Sequence, residues 1–124
     1  MIETTTVKPF DRDRVVRVAS ARLSVSTGEW LWARRYQTLI DAHWLKESAG
    51  NANFFNGTIF LIDSLVFATE PERVAATLLK TDFKSYLYWR DLGYPPAGVL
   101  DGFGSALIRS SDGAVVLGRQ QPGN

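Results

Sequence analysis

The chain has no cysteine. That excludes disulfides, thiol nucleophiles and cysteine-ligated metal centres, and it fits a reducing compartment. It has a single histidine, His43, so no histidine pair is present to hold a metal. Net charge is also scarce, with 14 Lys and Arg against 13 Asp and Glu giving +1. No sequence-wide field draws in nucleic acid, and no basic run marks a local patch, so no nucleic-acid partner is expected. No apolar run reaches the roughly 18–20 residues that a bilayer span needs. The opening Met1-Ile-Glu-Thr-Thr-Thr lacks a basic region ahead of an apolar core and does not read as a signal peptide. The expectation is a cytoplasmic protein with no membrane partner.

Carboxylate pairs are missing too. The glutamates are Glu3, Glu29, Glu47, Glu70 and Glu72, with no Glu-Glu or Arg-Glu pair among them. A Mg²⁺ site for phosphate chemistry wants several oxygen ligands held on a rigid element. The spacing therefore carries no metal-site signal.

What is present is ordinary globular material. At 124 residues, 45% apolar and 12% aromatic, the chain fits one α+β unit spanning 1–124. A chain of this size buries roughly two thirds of its unfolded surface. Residues 1–13 are polar, contain Pro9 and read as a loose arm. Arg14–Val25 is β-branched enough for a strand. Ser26-Thr27-Gly28-Glu29 has the form of a capping box, with a helix following to about Glu47 and a stop at Gly50-Asn51. Trp32, Tyr36, Leu39, Ile40 and His43 fall on one face of that helix.

Thr58–Ala68 is the strongest strand and Glu70-Pro71-Glu72 a turn; Arg73–Thr81 fits helix or strand by composition, and its short length and the turn joining it to a strong strand make it the return strand of a meander. Asp82 or Thr81 caps a short helix over Phe83–Asp91, with Phe83, Leu87 and Arg90 on one side. Gly93 ends it and Pro95-Pro96 prevents its resumption. After a loop over 94–103, two β-type runs flank Asp112-Gly113, a strong hairpin signal. The pattern is α+β: a mostly antiparallel sheet, one long and one short helix packed on one face, and a C-terminal β-hairpin.

Few residues stand out as chemical. His43 has neither a serine nor a second histidine nearby, which favours a structural or interface role over a general base. Asp63, inside an apolar strand, points to solvent or accepts a hydrogen bond, with solvent preferred. Gly98, Gly102 and Gly104 precede a strand, whereas a phosphate loop follows one, so they read as turns. The aromatics Trp30, Trp32, Tyr36, Trp44, Tyr86, Tyr88 and Trp89 read as core or interface rather than a base-stacking platform. Any buried indole or phenol among them needs a hydrogen-bond partner.

Several segments, taken in order, resemble the N-terminal region of Nudix hydrolases, particularly the branch acting on UDP-sugars. They are Phe55-Asn56-Gly57-Thr58, Thr81-Asp82-Phe83-Lys84-Ser85-Tyr86-Leu87-Tyr88-Trp89-Arg90-Asp91, Asp101-Gly102-Phe103-Gly104 and Ser110-Ser111-Asp112-Gly113. The resemblance covers about residues 54–119. It implies an accessory region over 1–103 and a hairpin over 104–124 that opens the Nudix fold. It also implies a Mg²⁺-dependent parent that cleaves nucleoside diphosphates linked to another moiety. The family's metal-binding Arg-Glu and Glu-Glu pairs have no counterpart here, so no catalytic residue and no metal ligand carries over. By the resemblance Arg119 lies near where such proteins often place a substrate-contacting basic residue; read alone it is an ordinary strand-end arginine.

The expectation is a catalytically silent N-terminal domain. Its partner would be a downstream catalytic domain of the same polypeptide, and removing that domain's cover favours self-association as a homodimer. The alternative is a stand-alone, non-enzymatic interaction or dimerisation module that uses its terminal strands. A third reading, a small ligand-binding or enzyme domain built on His43 and the aromatics, has less behind it.

Overall fold

The structure, a computed structural model, describes residues 2–5, 15–69 and 72–120. Its elements are β1 (Ile2–Thr5), β2 (Ser20–Val25), α1 (Leu31–Arg35), α2 (Gln37–Ala49), β3 (Thr58–Thr69), β4 (Glu72–Asp82), α3 (Phe83–Asp91), β5 (Ile108–Arg109) and β6 (Val115–Val116). The fold is α+β. One four-stranded sheet has the order β1-β3-β4-β2, and β5 with β6 forms a separate two-stranded hairpin.

The long central pair is the meander read from the sequence. β3 and β4 run antiparallel from Thr58 opposite Asp82 to Thr69 opposite Glu72. The register shifts between Ile62 and Ser64, which makes half-buried Asp63 the extra residue of a bulge. The expected turn at 70–72 lies largely outside the described residues.

Two edges differ from expectation. The start of the chain is not wholly a loose arm, because Ile2–Thr5 pairs antiparallel with β3. Ile2, Thr4 and Thr5 are β-branched residue types that suit a strand, and the edge of β3 supplies the backbone partners. Residues 6–13 of that arm lie outside the described residues. At the other edge, β2 is shorter than the Arg14–Val25 run and pairs parallel with β4. Every residue of β2 is exposed, which explains its imperfect alternation.

The long helix is two helices. Tyr36, at φ −102° and ψ 18°, separates α1 from α2. The capping box does not form: the cap residue is Trp30, with no side-chain bond. Ser26 Oγ instead accepts from Gly28 N at 3.0 Å, and Glu29 pairs with Arg34 at 2.7 Å. Packing of Trp30 outweighs the local cap, since its indole stacks on Trp32 and meets Trp89 edge-on. Of the expected helical face, Ile40 is fully buried, while Trp32, Tyr36 and His43 are half-buried. Leu39, at the margin of that stripe, stays exposed. The helix stops at Gly50 as read.

The short helix is where local signals and structure agree most closely. Asp82 is its N-cap, and Gly93 (φ +85°) follows its end. Gly93 N donates to Arg90 O and Tyr94 N to Trp89 O, the paired bonds of a Schellman stop. The Trp89 and Tyr94 rings supply the accompanying apolar contact, with centroids 4.9 Å apart. Arg90 is exposed rather than on a packed face. Ser85, Leu87 and Trp89 are buried instead. Leu87 and Trp89 lie roughly 200° apart around the helix axis, so α3 is covered on two sides. The core gathers Trp30, Ala33, Ile40, Leu61, Leu79, Trp89 and Val99.

Candidate functional site

The first polar centre sits at the start of α3. Asp82 Oδ1 accepts from Ser85 N at 3.1 Å and from the Ser85 hydroxyl. Its other oxygen accepts from Asn56 Nδ2 at 3.3 Å. Asn56 Oδ1 in turn accepts from Lys84 N at 2.8 Å, and Phe83 N donates to Gly57 O. The Phe55-Asn56-Gly57 turn is thus pinned onto the helix start, where Phe83 N and Lys84 N, lacking partners within the helix, find acceptors in it. Lys84 Nζ continues the network to Asp41 Oδ1 at 2.7 Å, tying α3 to α2. The Lys84 hydrogen bond holds the Asp41 carboxyl below its ordinary value, and Asp41 correspondingly raises Lys84.

Beside this centre lies an open groove of about 700 Å³, lined by Glu29, Trp30, Arg34, Lys80, Asp82 and Ser85 among others. The volume is of ligand size. The walls carry two acids and two bases, and Arg34 is already paired with Glu29. That balance supplies no field selective for phosphate.

A second link joins α3 to the following loop. The Tyr86 hydroxyl donates to Asp101 Oδ2 at 3.0 Å and lies 3.5 Å from the Tyr94 hydroxyl. Burial, then these two neighbours, pushes the Tyr86 phenol above its ordinary value of 10.0. Raised in the folded state, this group stabilises the fold below about pH 10 and loses that contribution as pH climbs toward the folded value. Tyrosinate absorbance should therefore show one phenol ionising only with alkaline unfolding. Tyr86→Phe should remove that late phase, and a late phase that persists in the variant would assign it elsewhere.

His43 lies between the two larger helices. Its Nε2 is 3.0 Å from Asp91 Oδ2 and 3.9 Å from Glu47 Oε1, and its ring meets Tyr88 edge-on at 5.4 Å. Its Nδ1 is buried without a hydrogen-bond partner. No spacing rule pairs residue 43 with residue 91; the α2–α3 contact alone brings them together. The i, i+4 relation of His43 and Glu47 was the one legible hint.

The aromatics are largely core and core margin. Trp30 Nε1 donates to Ala97 O at 2.9 Å and Trp89 Nε1 to Pro95 O at 2.8 Å, so both buried indoles are satisfied. Trp44 stacks on Phe54 and meets Phe83 edge-on. Gly98 (φ +77°) serves a turn, and Gly102 lies so close to Ile62 that a Cβ would come within 2.5 Å of its Cδ1. Both therefore act through the backbone.

The terminal hairpin forms on Asp112-Gly113, with Gly113 at φ +87°. Its strands are only two residues each, shorter than the Leu107–Leu117 span suggests. Ser110 N donates to Ala114 O and Gly113 N to Ser110 O, and the Ser110 hydroxyl bonds Asp112, lowering that carboxyl. Everything from Asp101 to Gln120 is exposed, Arg119 included. Arg119 lines neither the groove nor the smaller cleft around Arg22 and Arg73.

The Mg²⁺ implied by the family resemblance does not fit the residues present. Mg²⁺ takes a near-octahedral set of oxygens. The one cluster of metal-type ligands among the described residues is His43, Glu47 and Asp91, a mixed imidazole–carboxylate set. No helix among the described residues is long and apolar enough to cross a membrane. In comparisons with protein-family models, curated proteins and solved structures, the chain matches none.

Proposed function

We propose that this chain is the N-terminal region of a Nudix-type hydrolase acting on nucleoside diphosphates linked to another moiety, and that it is catalytically silent by itself. The observation that carries this reading is the exposed apolar hairpin. Phe103 is 96% exposed, Leu107 71% and Leu117 85%, with Ile108, Val115 and Val116 also open to solvent. Strand-forming apolar residues of this density suit a larger sheet that continues from them. Further support comes from how the segments of the resemblance meet. The Phe55-Asn56-Gly57 turn and the Asp82 cap interlock, and Tyr86 joins that helix to Asp101. Elements spread from Phe55 to Asp101 thus act as one scaffold feeding the hairpin. In this role the chain shapes or covers the substrate site of a downstream, Mg²⁺-dependent catalytic domain in the cytoplasm.

The test is an assay of the purified chain with UDP-glucose and Mg²⁺, together with sequencing of the reading frame beyond the Asn124 codon. The expected results are no release of UMP and a downstream Gly-x5-Glu-x7-Arg-Glu-x2-Glu-Glu pattern. Turnover by the pure chain overturns the silent role, and a stop codon after Asn124 overturns the Nudix reading.

A stand-alone dimerisation module is the second reading. It is favoured by β2, a six-residue edge strand exposed throughout. The same stop codon would support it.

A further inference from the structure

We propose that His43, Glu47 and Asp91 form a binding site for a borderline divalent transition-metal ion, with Zn²⁺ the best match. This is independent of the proposed hydrolase relationship. One imidazole nitrogen with two carboxylate oxygens is a set that Zn²⁺ accepts and Mg²⁺ does not favour. The donor atoms all lie within 4.8 Å of one another. Around a tetrahedral ion with bonds of roughly 2.0–2.1 Å, neighbouring ligands sit about 3.4 Å apart. The observed separations from His43 Nε2, 3.0 Å to Asp91 and 3.9 Å to Glu47, bracket that value. A modest rotation of the Glu47 side chain closes the set, and water completes it.

The electrostatics point the same way. Glu47 lies in the last turn of α2 and Asp91 is the last residue of α3. Both carboxylates therefore stand at negative helix ends, where cations are favoured and anions are not. The basic residues of those turns are Lys46 and Arg90. Arg90 binds only Asp91 Oδ1, through Nε and Nη2 at 3.1 Å each, leaving Oδ2 aimed at His43. A ligating carboxylate held through its other oxygen is the usual supporting arrangement. The partnerless His43 Nδ1 is the missing support on the imidazole side, and it limits affinity.

The tag-free chain, stripped with EDTA and dialysed, is titrated with ZnCl₂ by calorimetry and by thermal unfolding. The expected result is saturable one-site binding and a rise in Tm of about 8 °C at a hundredfold excess over Kd. MgCl₂ should give neither. His43→Ala and Asp91→Asn should each weaken Zn²⁺ binding at least about tenfold, with far-UV circular dichroism unchanged. Asp91→Asn preserves shape and decides the matter should the alanine variant fail to fold. Absence of saturable Zn²⁺ binding overturns the site. Undiminished binding in Asp91→Asn does so too, by locating the ion on other surface carboxylates.

Discussion

Trp89→Ala should remove about 3–5 kcal/mol of stability, a large share of the ~5–15 kcal/mol available to a domain of this kind. Trp89 is 4% exposed and sits where the helices, the sheet and the following loop converge. Its ring meets Trp30, Tyr86 and Tyr94, and its indole N–H bonds Pro95 O. The alanine leaves a cavity, strips the Schellman stop of its apolar contact and orphans the Pro95 carbonyl. Trp89→Phe keeps most of the ring volume and loses mainly the hydrogen bond, so about 1–2 kcal/mol is expected. Urea unfolding followed by circular dichroism measures both. A loss below about 1 kcal/mol for the alanine variant would mean that the surrounding rings collapse into the space.

Asp82→Ala should cost about 2–3 kcal/mol, far more than an ordinary surface substitution. The side chain is an N-cap, typically worth about 1 kcal/mol. It is also the acceptor for the hydroxyl of Ser85, which is 3% exposed and would be left unpaired. A third bond, from Asn56, anchors the preceding turn. Asp82→Asn retains an acceptor oxygen at the cap and should cost under about 1 kcal/mol. Equal losses in the two variants would refute the cap. A double-mutant cycle with Asn56→Ala should give a coupling of about 0.5–1 kcal/mol. Additivity in that cycle would detach the Asn56 turn from the helix start.

The elements legible in the sequence are those specified by nearby residues. In the meander β3 has a long β-rich run and β4 follows it across a short turn, α3 has a cap and a stop at fixed offsets, and the hairpin has Asp112-Gly113. Each signal lies within a few residues of the structure it produces. The elements misread depend on distant partners. Ile2–Thr5 is a strand because β3 offers it an edge, and its β-branched residues alone do not say where that edge lies. The capping box failed because Trp30 packs against Trp89, 59 residues away, and that contact decides where the helix begins. The parallel pairing of β2 with β4 is likewise invisible in either strand alone.

The same division holds for the sites. Sequence reading singled out His43 and Arg119 as isolated residues. The structure leaves Arg119 exposed beyond the end of β6 and gives His43 two carboxylate neighbours. One of them, Asp91, is 48 residues distant in sequence. Residue types and local spacing by themselves determined that this chain folds as α+β, that a short helix follows Thr81-Asp82 and that it lacks paired glutamates. Only the tertiary structure decided that the long helix breaks at Tyr36 and that His43, Glu47 and Asp91 meet. Local propensity acts over a few bonds, whereas packing of buried rings and helices fixes which remote side chains share a space.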